Sequence, residues 1–365
     1  MSEPPIKSAT PAASWVSALA IGLAVAVFAK RPLAPSMAPT RARGGQPTSV
    51  PQQGRAGGRA ADTPAQLTTR NWRDILGRVY TEIGNDRVLA VAAGVTFYAL
   101  LALFPAITAL VSLYGLIADP ATISDQVASL NSLLPSGALD IISDQVKRIA
   151  SKPHGSLGFG FVAGLGVALW STNAGMKAVF DALNVVYDEK EKRGFVRLNA
   201  VSLLCTLGAL VVILAALGAV VVVPIVLNLV GLGAVVEALI SLARWPLLLA
   251  LIVAALAVLY RLGPSRRAPK WRWVTWGSGI AAIAWVIGSM LFSWYVAKFG
   301  TYNETYGSLG AAIGFMTWIW ISTTIVLVGA EINAEMEHET ARDTTEGSGK
   351  PMGTRGAAMA DKVAG

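Results

Sequence analysis

Cysteine and histidine are scarce in this sequence. The 365 residues include one cysteine, Cys205, so no disulfide can form within the chain and no thiolate cluster can hold a metal. The two histidines, His154 and His338, lie far apart, which excludes a histidine-rich metal site and disfavours a Ser-His-Asp arrangement. We therefore expect no cofactor, no metal and no catalytic residue.

Charge is scarce as well. Charged residues make up 14% of the chain, whereas soluble globular proteins contain about a quarter. Hydrophobic residues make up 54%, and the mean hydropathy is +0.54, which together indicate a membrane protein. The formal net charge is +8. Because the basic residues sit mainly in short loops and one tail, membrane topology explains them, and no nucleic-acid partner is expected.

Long apolar runs take up much of the chain. A helix of about 20 apolar residues crosses the hydrocarbon core of a bilayer. The runs predicted as spans are 88–117, 157 to about 180, 198–230, 245–260, 274–296, and about 309 to 330. The predicted fold is therefore all-α, a polytopic helical membrane protein with a six-helix transmembrane core over residues 71–340.

Basic residues alternate along the loops between these runs. Lys and Arg are frequent in 70–87, 190–197 and 261–272, and the intervening connections contain fewer. Since Lys and Arg are enriched in cytoplasmic loops, this alternation predicts that both ends of the six-helix core are cytoplasmic.

The segments outside the core are assigned from composition. After an N-terminal tail, 1–13, the apolar run 14–29 is either an extra membrane anchor, a signal-like segment or a misassigned start. Residues 30–70 are predicted to be a disordered basic linker, and 341–365 a disordered tail. The outer loop, 119–155, has apolar residues at helical spacing on each side of Pro135, which predicts two short amphipathic helices.

Polar residues interrupt the second run on one helical face. Asn173, Lys177, Asp181 and Asn184 follow one another at steps of four, four and three, and Lys177 can pair with Asp181 across one turn. Two interpretations stay open. These residues lie at the cytoplasmic interface, or they form a substrate-facing stripe for translocation, as intramembrane polar groups often do.

The last run passes without a turn into Glu331 and Asn333. Either the helix leaves the lipid here and Glu331 is hydrated, or Glu331 stays in the bundle and pairs with Lys177 at the same depth. We favour partial burial at the cytoplasmic end.

Proline and glycine suggest three further features. Pro105 is a candidate hinge, or a break, in the first span. Gly307, Gly310 and Gly314 have the spacing of a helix-packing face. Pro246 is expected in the first turn of the fourth span.

Four blocks of the sequence resemble the YihY/BrkB family of bacterial inner-membrane proteins. They are AAGVTFYALLALFPAI (92–107), LWSTNAGMKAVFDALNVVYDEKEKRGFVRLNAVSLLCTLG (169–208), VLYRLGPSRRAPKWRWVTWGSGIAAIAWVIGSMLFSWYV (258–296) and TYNETYGSLGAAIGFMTWIWISTTIVLVGAEINAE (301–335). The resemblance implies six helices in the bacterial inner membrane and supplies no catalytic residue to carry over. Some members of this family carry a ribonuclease label, which this sequence does not support because it lacks clustered histidines and aspartates.

Two functions compete. The first is a carrier or flippase-like protein for an envelope lipid or another amphipathic component. The second is a non-transporting scaffold or regulator of the cell envelope, in which polar groups only hold helices together. Membrane lipids are the expected partners in both, and the sequence also allows a homo-oligomer.

Overall fold

The computed structural model describes residues 59–114, 159–223, 234–299 and 308–364. Within these ranges the chain forms seven α-helices and no β-strand, apart from one isolated bridge between Pro269 and Thr345. The helices are α1 (Thr69–Asn85), α2 (Val88–Tyr114), α3 (Phe159–Val186), α4 (Phe195–Leu217), α5 (Ala234–Leu262), α6 (Trp271–Phe299) and α7 (Ser308–Glu339). A 3₁₀ turn, Pro64–Gln66, precedes α1, and a π-helical turn, Gly218–Val222, continues α4.

Five of these helices are long and apolar enough to cross a membrane. The spans are Val88–Ala109, Phe195–Val220, Val236–Leu262, Trp271–Lys298 and Ala312–Glu339. The prediction of an all-helical membrane protein is therefore confirmed. Helix α3 has 28 residues, but it is not among the five, so a core of six spans stays a prediction. The segment 14–29 and the outer-loop helices lie outside the described residues.

Proline does not mark the helix boundaries that the sequence suggested. Helix α5 begins at Ala234 and passes through Pro246, so the predicted start at that proline is wrong. Helix α2 likewise continues through Pro105, which rules out a break there and leaves the hinge a prediction. Membrane helices tolerate an interior proline because neighbouring groups satisfy the freed backbone carbonyl.

Helix α1 is amphipathic and was not predicted. The Thr68 hydroxyl caps it by accepting a hydrogen bond from the Asn71 amide, and the Asn71 side chain accepts one from the Thr68 amide. Ile75 and Val79, one turn apart, are buried against α6 and α7. The helix ends at Asn85, and Asp86 and Arg87 follow it. The left-handed conformation of Arg87 (φ 52°) turns the chain into α2.

The core lies between five helices near one end of the bundle. Helix α2 packs along α3, and α6 packs along α7, which also contacts α1 and α2. Helix α4 joins α3 to α5. Large apolar side chains such as Phe97, Leu207 and Ile287 face outward, as expected where lipid is the solvent. The core is formed by Val88, Ala92, Val95, Ala182, Leu183, Val186, Tyr187, Ala257, Tyr260, Val274, Leu327, Ala330, Ala334 and Met359.

Glycine allows α6 and α7 to approach closely, but at positions other than those predicted. A Cβ at Gly277 would lie 2.3 Å from the Gly329 carbonyl oxygen, and one at Gly329 would lie 2.5 Å from the Ala281 Cβ. Gly314, by contrast, has open space where a Cβ would be. No close contact therefore supports a packing role for Gly314. Gly307 lies outside the described residues, and nothing tests Gly310.

The tail after Arg342 is folded, so the prediction of a disordered tail over 341–365 is wrong for the described part, 341–364. The Arg355 guanidinium is buried and donates to the carbonyls of Lys350, Arg342, Ala360 and Ala341. Composition gave no sign of this because the interactions depend on backbone carbonyls. The predicted linker over 30–70 is likewise ordered from residue 59 onward, where Ala61 and Leu67 are buried.

Candidate functional site: a buried ionic end of the helix bundle

Charged side chains meet at one end of the bundle, which we call the ionic end (residues 71–88, 184–193, 261–274 and 331–346). Here the basic segments that the sequence placed on one side of the membrane approach one another. Arg193 reaches the end of α5, and both Arg78 and Arg266 reach the end of α7. The common side predicted for these segments agrees with the structure.

The most deeply buried ion pair joins Arg266 to Glu337. The two guanidinium nitrogens lie 2.9 and 2.8 Å from the two carboxylate oxygens, and both side chains are fully buried. The Thr344 hydroxyl donates to the same carboxylate at 3.0 Å, and the Tyr187 ring lies 4.0 Å from the guanidinium carbon. Burial alone would lower the pKa of Arg266, but Glu337 and Tyr187 keep that pKa above its ordinary value.

A second arginine binds two glutamates of α7. Arg78 of α1 lies 2.5 Å from Glu335 and 2.8 Å from Glu339, and the side-chain amide of Asn71 also donates to Glu339. Burial alone would lower the pKa of Arg78, but the two carboxylates raise it. Helix α1, which the apolar runs did not reveal, is thereby joined to the end of α7.

A third arginine closes the loop after α3. Arg193 makes two hydrogen bonds to Glu191, at 2.8 and 2.7 Å, and donates to the carbonyls of Leu262 and Gly263. The hydrogen bond from Arg193 lowers the pKa of Glu191 to about 2, against the opposing effect of burial. Asn184 completes this contact, because its side-chain oxygen accepts from the Ser265 amide at 2.7 Å.

Two predicted residues of α7 are buried at the ionic end. Asn333 accepts a hydrogen bond from the Gly277 amide at 2.9 Å and donates to the Val274 carbonyl at 3.2 Å, which fixes α7 against α6. Glu331 is 0% exposed, and neither of its carboxylate oxygens has a hydrogen-bond partner among the described residues. The alternative in which Glu331 is hydrated at the membrane boundary is therefore wrong.

The polar residues of α3 divide between two places. Asn184 belongs to the ionic end, whereas Asn173 and Lys177 face α4. The Thr206 hydroxyl lies 3.3 Å from the Asn173 side-chain oxygen, and the Lys177 amine lies 2.7 Å from the Asn199 side-chain oxygen. The predicted pairing of Lys177 with Glu331 is therefore wrong, because Lys177 is held by α4.

Asp181 does not form the predicted pair with Lys177, and its exposure is compatible with the interpretation that places it at the cytoplasmic interface. It is exposed, and no ion pair within 4.0 Å joins it to Lys177 in the described part of the chain. The predicted face of α3 is therefore a helix contact at Asn173 and Lys177, and a solvent-facing or lipid-facing position at Asp181.

Several residues of the ionic end were missed by sequence reasoning, namely Arg78, Asp86, Tyr187, Arg266 and Glu337. No sequence motif marks Arg78. Its partners, Glu335 and Glu339, follow it by 257 and 261 positions. One signal was available: Glu337 follows Asn333 by four positions, which places both on the face of α7 that meets α6.

The described structure is that of an all-helical membrane protein with an ion-paired end. The chain belongs to the family described as Virulence factor BrkB, whose model matches residues 79–352. That range includes most of the ionic end.

Individual relatives agree with this assignment. The Putative ribonuclease-like protein YfkH of Bacillus subtilis is 30% identical over 251 residues, which cover 67% of this chain and 88% of that protein. A UPF0761 membrane protein of Janthinobacterium sp. is 28% identical over 279 residues, 74% of this chain and 61% of the relative. UPF0761 membrane protein RC1_0578 of Rhodospirillum centenum is 28% identical over 268 residues, 72% and 57% respectively.

The matched region thus spans about three fifths of these UPF0761 relatives. No match to a solved structure was found.

Proposed function

We propose that this protein is a carrier or flippase-like protein that moves an envelope lipid, or another amphipathic component bearing a phosphate, across the bacterial inner membrane. The observation that carries the proposal is the polar contact between α3 and α4, which we call the α3–α4 seam (Asn173, Lys177, Asn199, Ser202 and Thr206). Three of these residues, Asn199, Ser202 and Thr206, lie on a candidate membrane span.

The seam offers hydrogen-bonding groups to a ligand. Asn173 is fully buried, and its side-chain nitrogen has no hydrogen-bond partner among the described residues. Lys177 is partly exposed and lies 5.2 Å from the centre of the Trp170 ring, which is itself 52% exposed. A lysine beside an exposed aromatic ring suits a lipid phosphate, since the amine attracts the anion and the ring packs on the adjoining glycerol and acyl atoms.

The alternative is a non-transporting scaffold or regulator of the cell envelope. The contacts of Arg78, Arg193 and Arg266 favour it, because they fix α1 to α7, the loop after α3 to the end of α5, and the loop after α5 to α7. A scaffold and a carrier differ in one measurable respect: only the carrier moves lipid.

Reconstituted liposomes test the proposal. We expect the purified protein to accelerate exchange of a fluorescent phospholipid between leaflets, measured as the fraction quenched by an impermeant reductant. Lys177→Gln should slow this exchange at least about tenfold, the effect of losing about 1.4 kcal/mol from binding to the charged headgroup. Lys177→Arg should retain most of it.

Lys192→Gln is the matched control, because Lys192 is 61% exposed and lies outside the seam. Exchange no faster than in protein-free liposomes, with a correctly folded protein, would favour the scaffold.

Under the same proposal the ionic end lies in the cytoplasm and membrane lipids are the partners. The proposal allows a homo-oligomer. It includes no nucleic-acid partner and no ribonuclease activity. Lys192→Cys in a Cys205→Ser background should be labelled by an impermeant thiol reagent only after the membrane is opened. Arg266 is unsuitable for labelling because its side chain is fully buried. Labelling of position 192 from outside intact cells would show that the ionic end faces the periplasm.

A further inference from the structure

We propose that Glu331 and Asp86 form a proton-binding site at the ionic end, where Glu331 holds an exchangeable proton and Asp86 connects it to water. The site itself rests on the burial of Glu331 and on the absence of a hydrogen-bond or ion-pair partner for it among the described residues. Its use as the coupling ion of transport rests, in addition, on the proposed carrier function.

The ion pairs of α7 leave one glutamate without a cation. Glu335 and Glu339 bind Arg78, and Glu337 binds Arg266. Glu331 takes part in no ion pair among the described residues, is 0% exposed and has two oxygens without a hydrogen-bond partner. An ionised carboxylate in this position would be both desolvated and uncompensated, which is among the most costly states for a side chain.

The charged groups around Glu331 are acidic. The carboxyls near Glu331 are Asp86, at the junction of α1 and α2, Glu335 on its own helix and Glu82 on α1. From the end of α3, Tyr187 is near enough to interact electrostatically. Arg78, on α1, is already held by Glu335 and Glu339. Binding a proton removes the repulsion, whereas losing it adds a further negative charge to this group.

A second buried polar group without a hydrogen-bond partner lies at the end of α3. Tyr187 is 0% exposed, and its hydroxyl has no hydrogen-bond partner among the described residues. A phenol can donate to a carboxylate or accept from a carboxylic acid. It therefore suits both protonation states of Glu331, which a site for an exchangeable proton requires.

Asp86 supplies the route to solvent. It is partly exposed, whereas Glu331 is buried. Burial raises the pKa of Asp86, the interaction with Glu331 opposes that rise, and the carboxylates of Glu82, Asp188 and Glu335 add to it. The proton can leave the Glu331 carboxyl for the Asp86 carboxylate and pass from there to water, so the net result is one ionised Glu331 and one proton released.

Infrared spectroscopy of the full-length protein in lipid nanodiscs tests the site directly. We expect a carbonyl band of a protonated carboxyl at neutral pH, which disappears at alkaline pH and is absent in Glu331→Gln. Asp86→Asn should keep the band but move its midpoint to lower pH, because the variant lacks the neighbouring negative charge. Glu82→Gln, which removes another acid from α1, is the matched control and should move the midpoint less.

Three results would overturn the site. One is a spectrum of Glu331→Gln that matches the wild type. Another is a midpoint unchanged by Asp86→Asn, which keeps the test valid if Glu331→Gln fails to fold. The third is loss of the band when NaCl is added at constant pH, since that would make Glu331 a sodium site.

Lipid exchange in liposomes with an imposed pH gradient separates this proposal from the carrier function. A carbonyl band without lipid exchange would support the proton site and exclude the carrier function. Lipid exchange that is independent of the pH gradient, in a protein without the carbonyl band, would support the carrier function and exclude the proton site. If both proposals hold, the gradient should change the exchange rate of the wild type and leave that of Glu331→Gln unchanged.

Discussion

Glu331, Glu335, Glu337 and Glu339 follow one another along the end of α7, but their environments differ. Glu335 and Glu339 both form ion pairs with Arg78, and Glu337 forms one with Arg266. Glu331 has no cation partner among the described residues. The sequence predicts that α7 continues through these residues, because apolar and acidic positions follow without a turn. It cannot predict the partners, since those arginines come from distant parts of the chain.

The first prediction concerns the buried pair. Arg266→Met and Glu337→Met should each destabilise the protein in detergent by about 3–5 kcal/mol, because each leaves one buried charge without its partner. The double variant should be less destabilised than either single variant. Lys192→Met is the control and should cost about 0–1 kcal/mol, since that lysine is 61% exposed in its pair with Glu189. The check is thermal unfolding of the four variants. Equal, small losses at both positions would show that the Arg266–Glu337 pair is not buried.

A second prediction follows from the separation of Lys177 and Glu331. Lys177 binds Asn199 on α4, whereas the acid near Glu331 is Asp86, between α1 and α2. In a double-mutant cycle, Lys177→Met and Glu331→Gln should therefore add to within about 0.5 kcal/mol. Lys177→Met combined with Asn199→Leu should show coupling and serves as the positive control. A coupling above about 1 kcal/mol between Lys177 and Glu331 would contradict the structure.

At the scale of elements, apolar runs predicted the membrane helices and the ends of some of them. Helices α2 and α6 begin and end close to their predicted limits, because lipid requires long unbroken apolar segments. Helix α1 was missed because it has no long apolar run, and its buried apolar residues, Ile75 and Val79, cover one narrow face. The start of α5 was missed because proline was taken as a boundary.

The contact between α6 and α7 yields the third prediction. Gly277→Ala should destabilise the protein by about 1–3 kcal/mol or more. The new Cβ would meet the Gly329 carbonyl oxygen at 2.3 Å and the Asn333 side chain at 2.4 Å, and the backbone oxygen cannot rotate away. Gly279→Ala, two positions along the same helix, meets nothing within 4 Å and should be neutral or slightly stabilising. Thermal unfolding in detergent compares the two, and equal effects would mean that the helices are not in close contact at Gly277.

At the scale of the whole molecule, charge pattern was more informative than composition. The alternation of basic loops correctly brought 70–87, 190–197 and 261–272 to one end, because each lies where an apolar run stops. Composition failed for the tail, which is rich in glycine and polar residues but is held by specific contacts. The Glu189 carboxylate accepts from the Ala358 amide, and Lys270 donates to the Asp343 carbonyl. Such contacts have no period or composition that a sequence can reveal.

The last prediction concerns the buried arginine of the tail, which we expect to make the largest single contribution to holding it in place. Arg355 is 4% exposed and donates to four backbone carbonyls, two of them in the chain that leads from α7 into the tail. In Arg355→Ala these carbonyls lose a charged donor, at a cost of about 1–3 kcal/mol. Local opening of the tail should become roughly tenfold more frequent or more. Trypsin should then cleave after Arg342, whose side chain is 62% exposed, at a correspondingly higher rate. Lys362→Ala, which replaces an exposed residue of the same tail, should leave that rate unchanged. The rates are read from intact-mass spectra of detergent-solubilised protein. If the wild type were cleaved as fast as Arg355→Ala, the tail would be disordered, as its composition alone predicts.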